Sequence, residues 1–160
     1  MTKAAVAICV AEPTWRTSGV SPARIRAAAR RAIARGVDSG KAACPQAMSL
    51  TVLLAGDDRL RELNLRFRQK DNPTNVLSFP APDGADGYLG DVALALGVAV
   101  REARIMGKDL ADHALHLTVH GVLHLLGYDH QKSGEARTME HLEITILHEL
   151  GIANPYTMRG

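Results

Sequence analysis

The chain has 160 residues, of which 46% are hydrophobic and 22% charged, and its formal net charge is +2. This length is typical of one domain of about 100–200 residues, so the sequence excludes a second full domain and predicts a single domain over residues 1–160. The composition is that of an ordinary globular protein, which excludes the disordered and fibrous classes.

The first half of the chain predicts two strands and two helices. Residues 4–10 have the apolar character of a buried strand, and residues 48–55 alternate as a second strand. Ser21 followed by Pro22 is typical of a helix start, and that helix is expected to run to about Gly36. A second helix, capped by Asp57 or Asp58, is expected to run through Phe67.

The second half predicts two further strands and then helices. Polar turn residues fill most of positions 70–90, interrupted by a short strand at 75–79, and residues 88–96 form the next strand. Helical spacing then predicts helices at 98–106, 110–126 and 134–150. This order of strands and helices predicts an α+β fold in which a small mixed sheet of about four strands packs with about five helices. The helix at 110–126 contains four histidines and is therefore the candidate for a zincin-like metal-site helix.

Cysteine usage and apolar runs indicate the compartment. Cys9 and Cys44 form no CxxC pair, so neither a disulfide framework nor a thiolate zinc site is predicted. The longest apolar run, Val92 to Val100, is about half of the roughly 20 residues that cross a bilayer. We therefore expect a cytoplasmic protein with no membrane partner.

The basic residues are concentrated early in the chain. Residues 1–70 contain 13 Lys and Arg against 5 Asp and Glu, whereas residues 71–160 contain 6 against 12. Five of these arginines lie in the first predicted helix: Arg24, Arg26, Arg30, Arg31 and Arg35. Such a skew is found in proteins that bind nucleic acid, and equally in helices with a solvated basic face. By itself it does not decide between them.

Histidines are grouped in the fourth predicted helix. His116, His120 and His124 are four residues apart and therefore share one helix face. His120 and His124 form an HxxxH pair, Gly127 allows the chain to turn, and His130 can return as a third ligand. Three imidazole ligands leave the fourth position of a tetrahedral zinc ion open, as catalysis requires. Nickel or another divalent ion is also compatible with imidazole.

The other histidines and one glycine limit this interpretation. His116 is a candidate for hydrogen bonding to a metal ligand, whereas His113 is expected to be exposed, and His141 and His148 to be structural. The HxxxH spacing and Gly127 match the HExxHxxGxxH motif of metzincin peptidases. Gly121, however, stands where those peptidases carry the glutamate that serves as general base, so peptide hydrolysis by that mechanism is disfavoured.

Two separated blocks of sequence resemble the YbeY endoribonucleases, which are bacterial rRNA maturation factors. The first contains Glu62-Leu63-Asn64, Phe67-Arg68, the run from Lys70 to Pro80, and Leu89-Gly90-Asp91. The second is the run from His120 to His130, preceded by His116 and followed by Met139 and Leu142-Glu143. Together the blocks span about residues 60–145.

The resemblance implies an endoribonuclease that cuts single-stranded RNA, matures the 3′ end of 16S rRNA and acts in ribosome quality control. It implies one zinc ion, or a similar metal, held by His120, His124 and His130. It also implies that Arg68 is needed for activity, since a guanidinium can stabilise the charge on a scissile phosphate. The implied partners are rRNA in the small ribosomal subunit and a small-subunit ribosomal protein or assembly factor.

Some roles remain open at this stage. Asp91 and Asp129 are candidates for an acid or base, or for structural carboxylates. Lys70, Arg30 and Arg31 are candidates for RNA contacts. A ribosome assembly factor with a structural metal, and less favourably a metallopeptidase-like hydrolase, remain alternative functions.

Overall fold

A computed structural model describes residues 3–38, 47–82, 87–129 and 131–157. His130, Cys44 and parts of the predicted loops at 36–45 and 70–90 lie outside the described residues. The strands are β1 (Lys3–Val10), β2 (Ala47–Ala55), β3 (Val76–Pro80) and β4 (Tyr88–Ala95). The helices are α1 (Pro22–Asp38), α2 (Asp57–Arg68), α3 (Leu96–Met106), α4 (Leu110–Leu125) and α5 (Ser133–Glu149), and a short 3-10 helix covers Pro13–Thr17.

The four strands form one mixed sheet in the order β1-β2-β4-β3. The first three in this order are parallel, whereas β3 pairs with β4 in the antiparallel sense and forms an edge. The predicted α+β class, with a small mixed sheet and helices, is therefore confirmed. Because β3 is an edge strand, no further strand of this sheet lies beyond it. The polar segment that precedes β3 therefore lies next to helix α4, with which it shares a cleft.

The two faces of the sheet contribute to different apolar clusters. Alternate residues of β2, such as Leu50 and Val52, face the main core, which α1, α4 and α5 complete. Residues of opposite phase, such as Leu77 in β3 and Ala93 in β4, form a smaller cluster with Leu60 of α2. This division follows from the two-residue repeat of a strand. Because α4 contributes to the main core and α2 to the smaller cluster, these two helices lie on opposite faces of the sheet.

The start of α2 differs from the predicted cap. Gly56 occupies the N-cap position of α2, and no side chain forms a capping hydrogen bond there. Asp57 instead accepts a hydrogen bond from the backbone N–H of Val98 at 2.9 Å and pairs with Arg101 of α3 at 2.8 Å. The prediction that Asp57 caps its own helix is wrong, because its carboxylate satisfies the first turn of α3 instead.

The side chain of Trp15 links the 3-10 helix to the sheet through burial and one hydrogen bond. It is 1% exposed. Its indole Nε1–H donates a 2.8 Å hydrogen bond to the carbonyl of Ala55 at the end of β2. The role is structural, as expected for a buried indole whose N–H needs a partner.

Helix α4 approaches the sheet closely at Gly121. A Cβ at this position would lie 2.5 Å from Val92 Cγ1 of β4, so the Val92 side chain or the helix would have to shift to admit any side chain. The Ser78 hydroxyl of β3 donates a 2.8 Å hydrogen bond to the Gly121 carbonyl and ties the two elements together. This contact sets the depth at which the neighbouring His120 lies.

None of the described helices is long and apolar enough to cross a bilayer.

Candidate metal centre and cleft

A cleft of about 650 Å³ lies between the edge strand β3 and the C-terminal half of α4. Its walls carry polar side chains from the end of α2, the segment before β3, β3 itself and α4. They include Arg68, Asn75, Ser78, His120, His124 and Asp129. The cleft therefore collects residues from both sequence blocks, such as Arg68 and His120, which are 52 positions apart in the chain.

His120 and His124 face each other across one turn of α4. Their Nε2 atoms are 3.2 Å apart and their ring centroids 4.7 Å apart. Two ligands at the zinc–nitrogen distance of a tetrahedral site are separated by about 3.3 Å. The pair is therefore spaced as two nitrogens that share one cation, and this part of the predicted ligand set fits a metal.

Glu143 of α5 forms a hydrogen bond with the Nδ1 atom of His120. The Glu143 side chain is 1% exposed, and its Oε1 lies 3.1 Å from His120 Nδ1. A carboxylate can only accept here, so Nδ1 carries the proton and the Nε2 lone pair of His120 is left for a cation. A buried carboxylate behind a histidine is the arrangement that orients metal ligands.

Two further donors keep Glu143 ionised. His116 Nε2 donates to Oε1 at 2.8 Å, and the hydroxyl of Tyr156 donates to Oε2 at 3.0 Å. Burial opposes ionisation, but the hydrogen bonds from His116 and His120 and their electrostatic attraction outweigh it and lower the pKa of Glu143 to about 2. Burial and the Glu143 charge in turn raise the pKa of Tyr156. His116 thus supports the candidate ligand His120 through Glu143 rather than by touching it.

The third predicted ligand, His130, lies outside the described residues. Within residues 3–38, 47–82, 87–129 and 131–157, no group of three His, Cys, Asp or Glu side chains is arranged to hold a metal. The described structure therefore brings two of the three predicted ligands together. Asp129 lies at the lip of the cleft, where its Oδ1 accepts a hydrogen bond from the Gln131 backbone at 3.3 Å.

Arg68 is the last residue of α2 and lines the same cleft. Two other arginines of the same helix have acidic partners: Arg59 pairs with Glu62 and Arg61 with Asp71. Arg68 has no such partner among the described residues. Its guanidinium is therefore available for an anion in the cleft. Lys70 is exposed two residues further on and lies outside the cleft lining.

The segment before β3 is held in place by two asparagines. Asn64, which is 3% exposed, donates from Nδ2 to the carbonyl of Asn72 at 2.8 Å. Asn75 accepts from the Val76 backbone at 2.7 Å and donates to Glu102 of α3. These contacts keep the segment beside the histidines and so shape the cleft wall.

Asp91 is not brought to the cleft. Val92 faces α4, so Asp91, its neighbour in β4, points to the other face of the sheet. There it is exposed and accepts a hydrogen bond from Tyr88. The suggestion that Asp91 supplies an acid or base therefore loses its geometric basis.

The basic face of α1 also lies away from the cleft. Arg30 and Arg31 are exposed, but α1 packs along β1, at the opposite edge of the sheet from β3. Arg35 pairs with Glu149 of α5. Neither Arg30 nor Arg31 lines the cleft, so the structure gives them no contact with the candidate centre.

His113 is buried, contrary to the expectation of an exposed side chain. It is 5% exposed, and its Nε2 donates to Glu102 Oε1 at 2.9 Å. Burial lowers its pKa, and Glu102 opposes that change. The position faces α3, a contact that the histidine spacing of α4 does not reveal.

Glu143 and Tyr156 are the functional candidates that sequence reasoning missed. Glu143 lies among the apolar positions Met139, Leu142 and Ile146, which form the buried face of α5. A carboxylate on an apolar helix face needs a partner, and that signal was available in the sequence. Tyr156 follows the last helix and carries no comparable signal.

Known proteins resemble the chain over most of its length. The model of a family described as Endoribonuclease YbeY matches residues 14–151. Among the relatives with that name, one from Rhodopseudomonas palustris is 46% identical over 149 residues, covering 89% of this chain and 75% of its own length. One from Rhodospirillum rubrum is 46% identical over 162 residues, covering 94% and 80%.

A solved structure shares the fold. The solution structure of TM1509 from Thermotoga maritima superposes with a TM-score of 0.57 at 20% sequence identity. The match covers 95% of this chain and 99% of the other. It supports the α+β architecture described above.

Proposed function

Since the chain belongs to the Endoribonuclease YbeY family, we propose that it cleaves single-stranded RNA in maturing the 3′ end of 16S rRNA and in ribosome quality control. Endoribonuclease activity follows from membership of the family. The observation that carries the finer proposal is the cleft, which the His120–His124 pair and Arg68 line together.

The candidate ligands are His120, His124 and His130. The 3.2 Å spacing of the first two, and the carboxylate behind His120, support a cation between them. Zinc held there would supply Lewis-acid activation of water and of a phosphate oxygen. Nickel or another divalent ion would suit the same imidazole ligands.

The chain's own residues account for positioning and charge. Glu143 keeps the proton of His120 on Nδ1, so that Nε2 remains a ligand. Arg68 forks two N–H donors onto the scissile phosphate and stabilises the charge that develops there. Asp129, at the lip of the cleft, is the candidate for accepting or returning a proton.

Two alternatives fit the site less well. A peptidase of the metzincin type needs a glutamate after the first ligand, and the contact of Gly121 with Val92 leaves no room for one. An assembly factor with a purely structural metal would be expected to bury its ligands. His120 and His124 instead line an open cleft.

We further propose that the enzyme acts in the cytoplasm on rRNA of the small subunit. A small-subunit ribosomal protein or assembly factor is the proposed protein partner. Lys70 is near enough to Arg68 to contact a neighbouring phosphate, whereas Arg30 and Arg31 would contact only RNA that reaches the far edge of the sheet.

The test is cleavage of an end-labelled RNA that carries a precursor 16S 3′ end. Wild-type protein of measured metal content is compared with His124→Ala and with His141→Ala, an exposed histidine of α5. We expect cleavage by the wild type and by His141→Ala, and none by His124→Ala. The identical preparation of both histidine variants controls for contaminating nucleases.

Each outcome has a distinct meaning. Cleavage retained in His124→Ala would refute the metal centre. Tight RNA binding without cleavage by metal-loaded wild type, on naked RNA and on small subunits alike, would favour the assembly factor. Cleavage only on small subunits would keep the nuclease and make the ribosome part of the substrate.

A further inference from the structure

Phe67 is the most exposed aromatic side chain among the described residues. It lies in the last turn of α2, directly before Arg68, and 59% of its surface is open to solvent. An exposed phenyl ring forgoes the stabilisation that burial gives an apolar side chain. The candidate metal centre makes no use of this ring.

The Phe67 ring packs against a second aromatic ring. Its centroid is 5.2 Å from that of Phe79 on β3, and the two planes are tilted by 60°. Phe79 itself packs on the smaller apolar cluster of the sheet. A phenyl ring that is supported by a neighbouring ring and still more than half exposed is a surface on which a flat apolar group can stack.

The position of Phe67 relates it to the cleft. Consecutive residues Phe67 and Arg68 lie along consecutive residues Phe79 and Pro80 of the edge strand. The phenyl ring lies against Phe79 on the α2 face of the sheet, whereas Arg68 and Pro80 line the cleft. A group stacked on Phe67 would therefore adjoin a phosphate held by Arg68.

The surroundings of the ring are cationic. The Arg66 guanidinium lies 5.5 Å from the Phe67 centroid. Arg66, Arg68 and Lys70 have no carboxylate partner among the described residues, unlike Arg59 and Arg61 of the same helix. An aromatic platform among unpaired cations is the combination by which proteins bind single-stranded nucleic acid, stacking the bases and contacting the phosphates.

We infer that Phe67 is a stacking platform for a nucleobase next to the phosphate bound by Arg68, with Arg66 and Lys70 contacting the flanking phosphates. This inference rests on the proposed function, because it supposes that single-stranded RNA enters the cleft. A duplex cannot stack an internal base on the ring, so the platform selects single strands. A docking protein would use the same ring without this selectivity.

Intrinsic fluorescence tests the stacking directly. The chain has one tryptophan, Trp15, which is buried and serves as a constant background. Phe67→Trp places a second indole on the platform, and Leu65→Trp places one at a 49% exposed position of the same helix as the matched control. The probe is a single-stranded oligoribonucleotide whose intactness is checked by gel electrophoresis after each titration, compared with its duplex and with inorganic polyphosphate.

We expect the single strand to quench Phe67→Trp well beyond Leu65→Trp, and polyphosphate to quench neither. Phe67→Ala should weaken single-strand affinity about 5- to 150-fold, the loss expected for one stacked base, and Phe67→Tyr should restore it. Equal quenching by duplex, or wild-type affinity in Phe67→Ala, would overturn the inference and leave the ring as a protein-docking surface.

The two proposals fail differently. Absence of cleavage by metal-loaded wild type, with the fluorescence response intact, would refute the nuclease mechanism and keep the platform. Normal cleavage with an unresponsive Phe67→Trp would refute the platform and keep the nuclease. Melting temperatures of the Phe67 variants check that each substitution at this exposed position leaves the fold intact.

Discussion

Replacing Glu143 by Gln tests how far the metal centre depends on a residue that would not touch the metal. The substitution keeps the shape of the side chain but removes its charge. Glu143 Oε1 accepts from both His116 and His120, and Oε2 accepts from Tyr156. A glutamine has one acceptor oxygen in place of two, so at least one of these contacts must weaken or reverse its direction.

The expected loss can be worked from these contacts. A hydrogen bond to a charged group contributes about 1.5–3 kcal/mol, roughly twice a neutral one. The carboxylate stabilises the Nδ1-protonated form of His120, in which Nε2 is the ligand. Losing that bias should weaken metal binding about 10- to 100-fold, as is typical when the group behind a ligating histidine is removed. This corresponds to about 1.4–2.8 kcal/mol.

The assay is a competition titration of zinc between the metal-free protein and a chromophoric chelator at pH 7. Glu140→Gln, an exposed position on the same helix, is the matched control and should bind zinc within about two-fold of wild type. Near-UV circular dichroism verifies folding of both variants. A folded Glu143→Gln protein with wild-type zinc affinity would refute the argument that Glu143 prepares His120.

Three further predictions use other parts of the structure. Arg68→Ala should reduce kcat for RNA cleavage by about 10²–10³-fold with zinc content unchanged, and normal cleavage would remove Arg68 from the mechanism. Gly121→Ala should lower the free energy of unfolding by about 1–3 kcal/mol in denaturant titrations, because its Cβ would lie 2.5 Å from Val92; an unchanged value would contradict that close contact. Because burial lowers the pKa of His113 below that of the unfolded chain, its contribution to stability is present above about pH 6.5 and is lost as the pH falls. Unfolding free energies measured between pH 7 and 5.5 should therefore fall more in wild type than in His113→Gln, and parallel pH profiles would refute this account.

Local patterns predicted the elements that carry the site. The helix expected at 110–126 is observed as Leu110–Leu125, and the strand expected at 48–55 as Ala47–Ala55. The HxxxH spacing predicted that His120 and His124 meet, because side chains four apart share a helix face whatever surrounds the helix. Their 3.2 Å approach needs only the geometry of α4.

Contacts between elements were not predictable in this way. Glu143 reaches His120 only because α5 packs on α4, and Asp57 reaches α3 rather than its own helix. Asp91 was a reasonable candidate by residue type, but its phase in β4 turns it away from the cleft. His113 is buried by α3, a neighbour that the spacing of histidines in α4 does not specify.

The secondary structure, the paired histidines and the resemblance to a nuclease family could be predicted from local sequence, because each depends on residues near one another or on a motif. Which side chains share the cleft with those histidines depends on how the elements pack. Glu143 contacts His120 and Arg68 lines the same cleft, although they are 23 and 52 positions away from His120 in the sequence. Helical and strand periodicities describe one element at a time, so they do not predict how α2, α4 and α5 are placed relative to one another. That placement determines which charged side chains lie near the candidate metal centre.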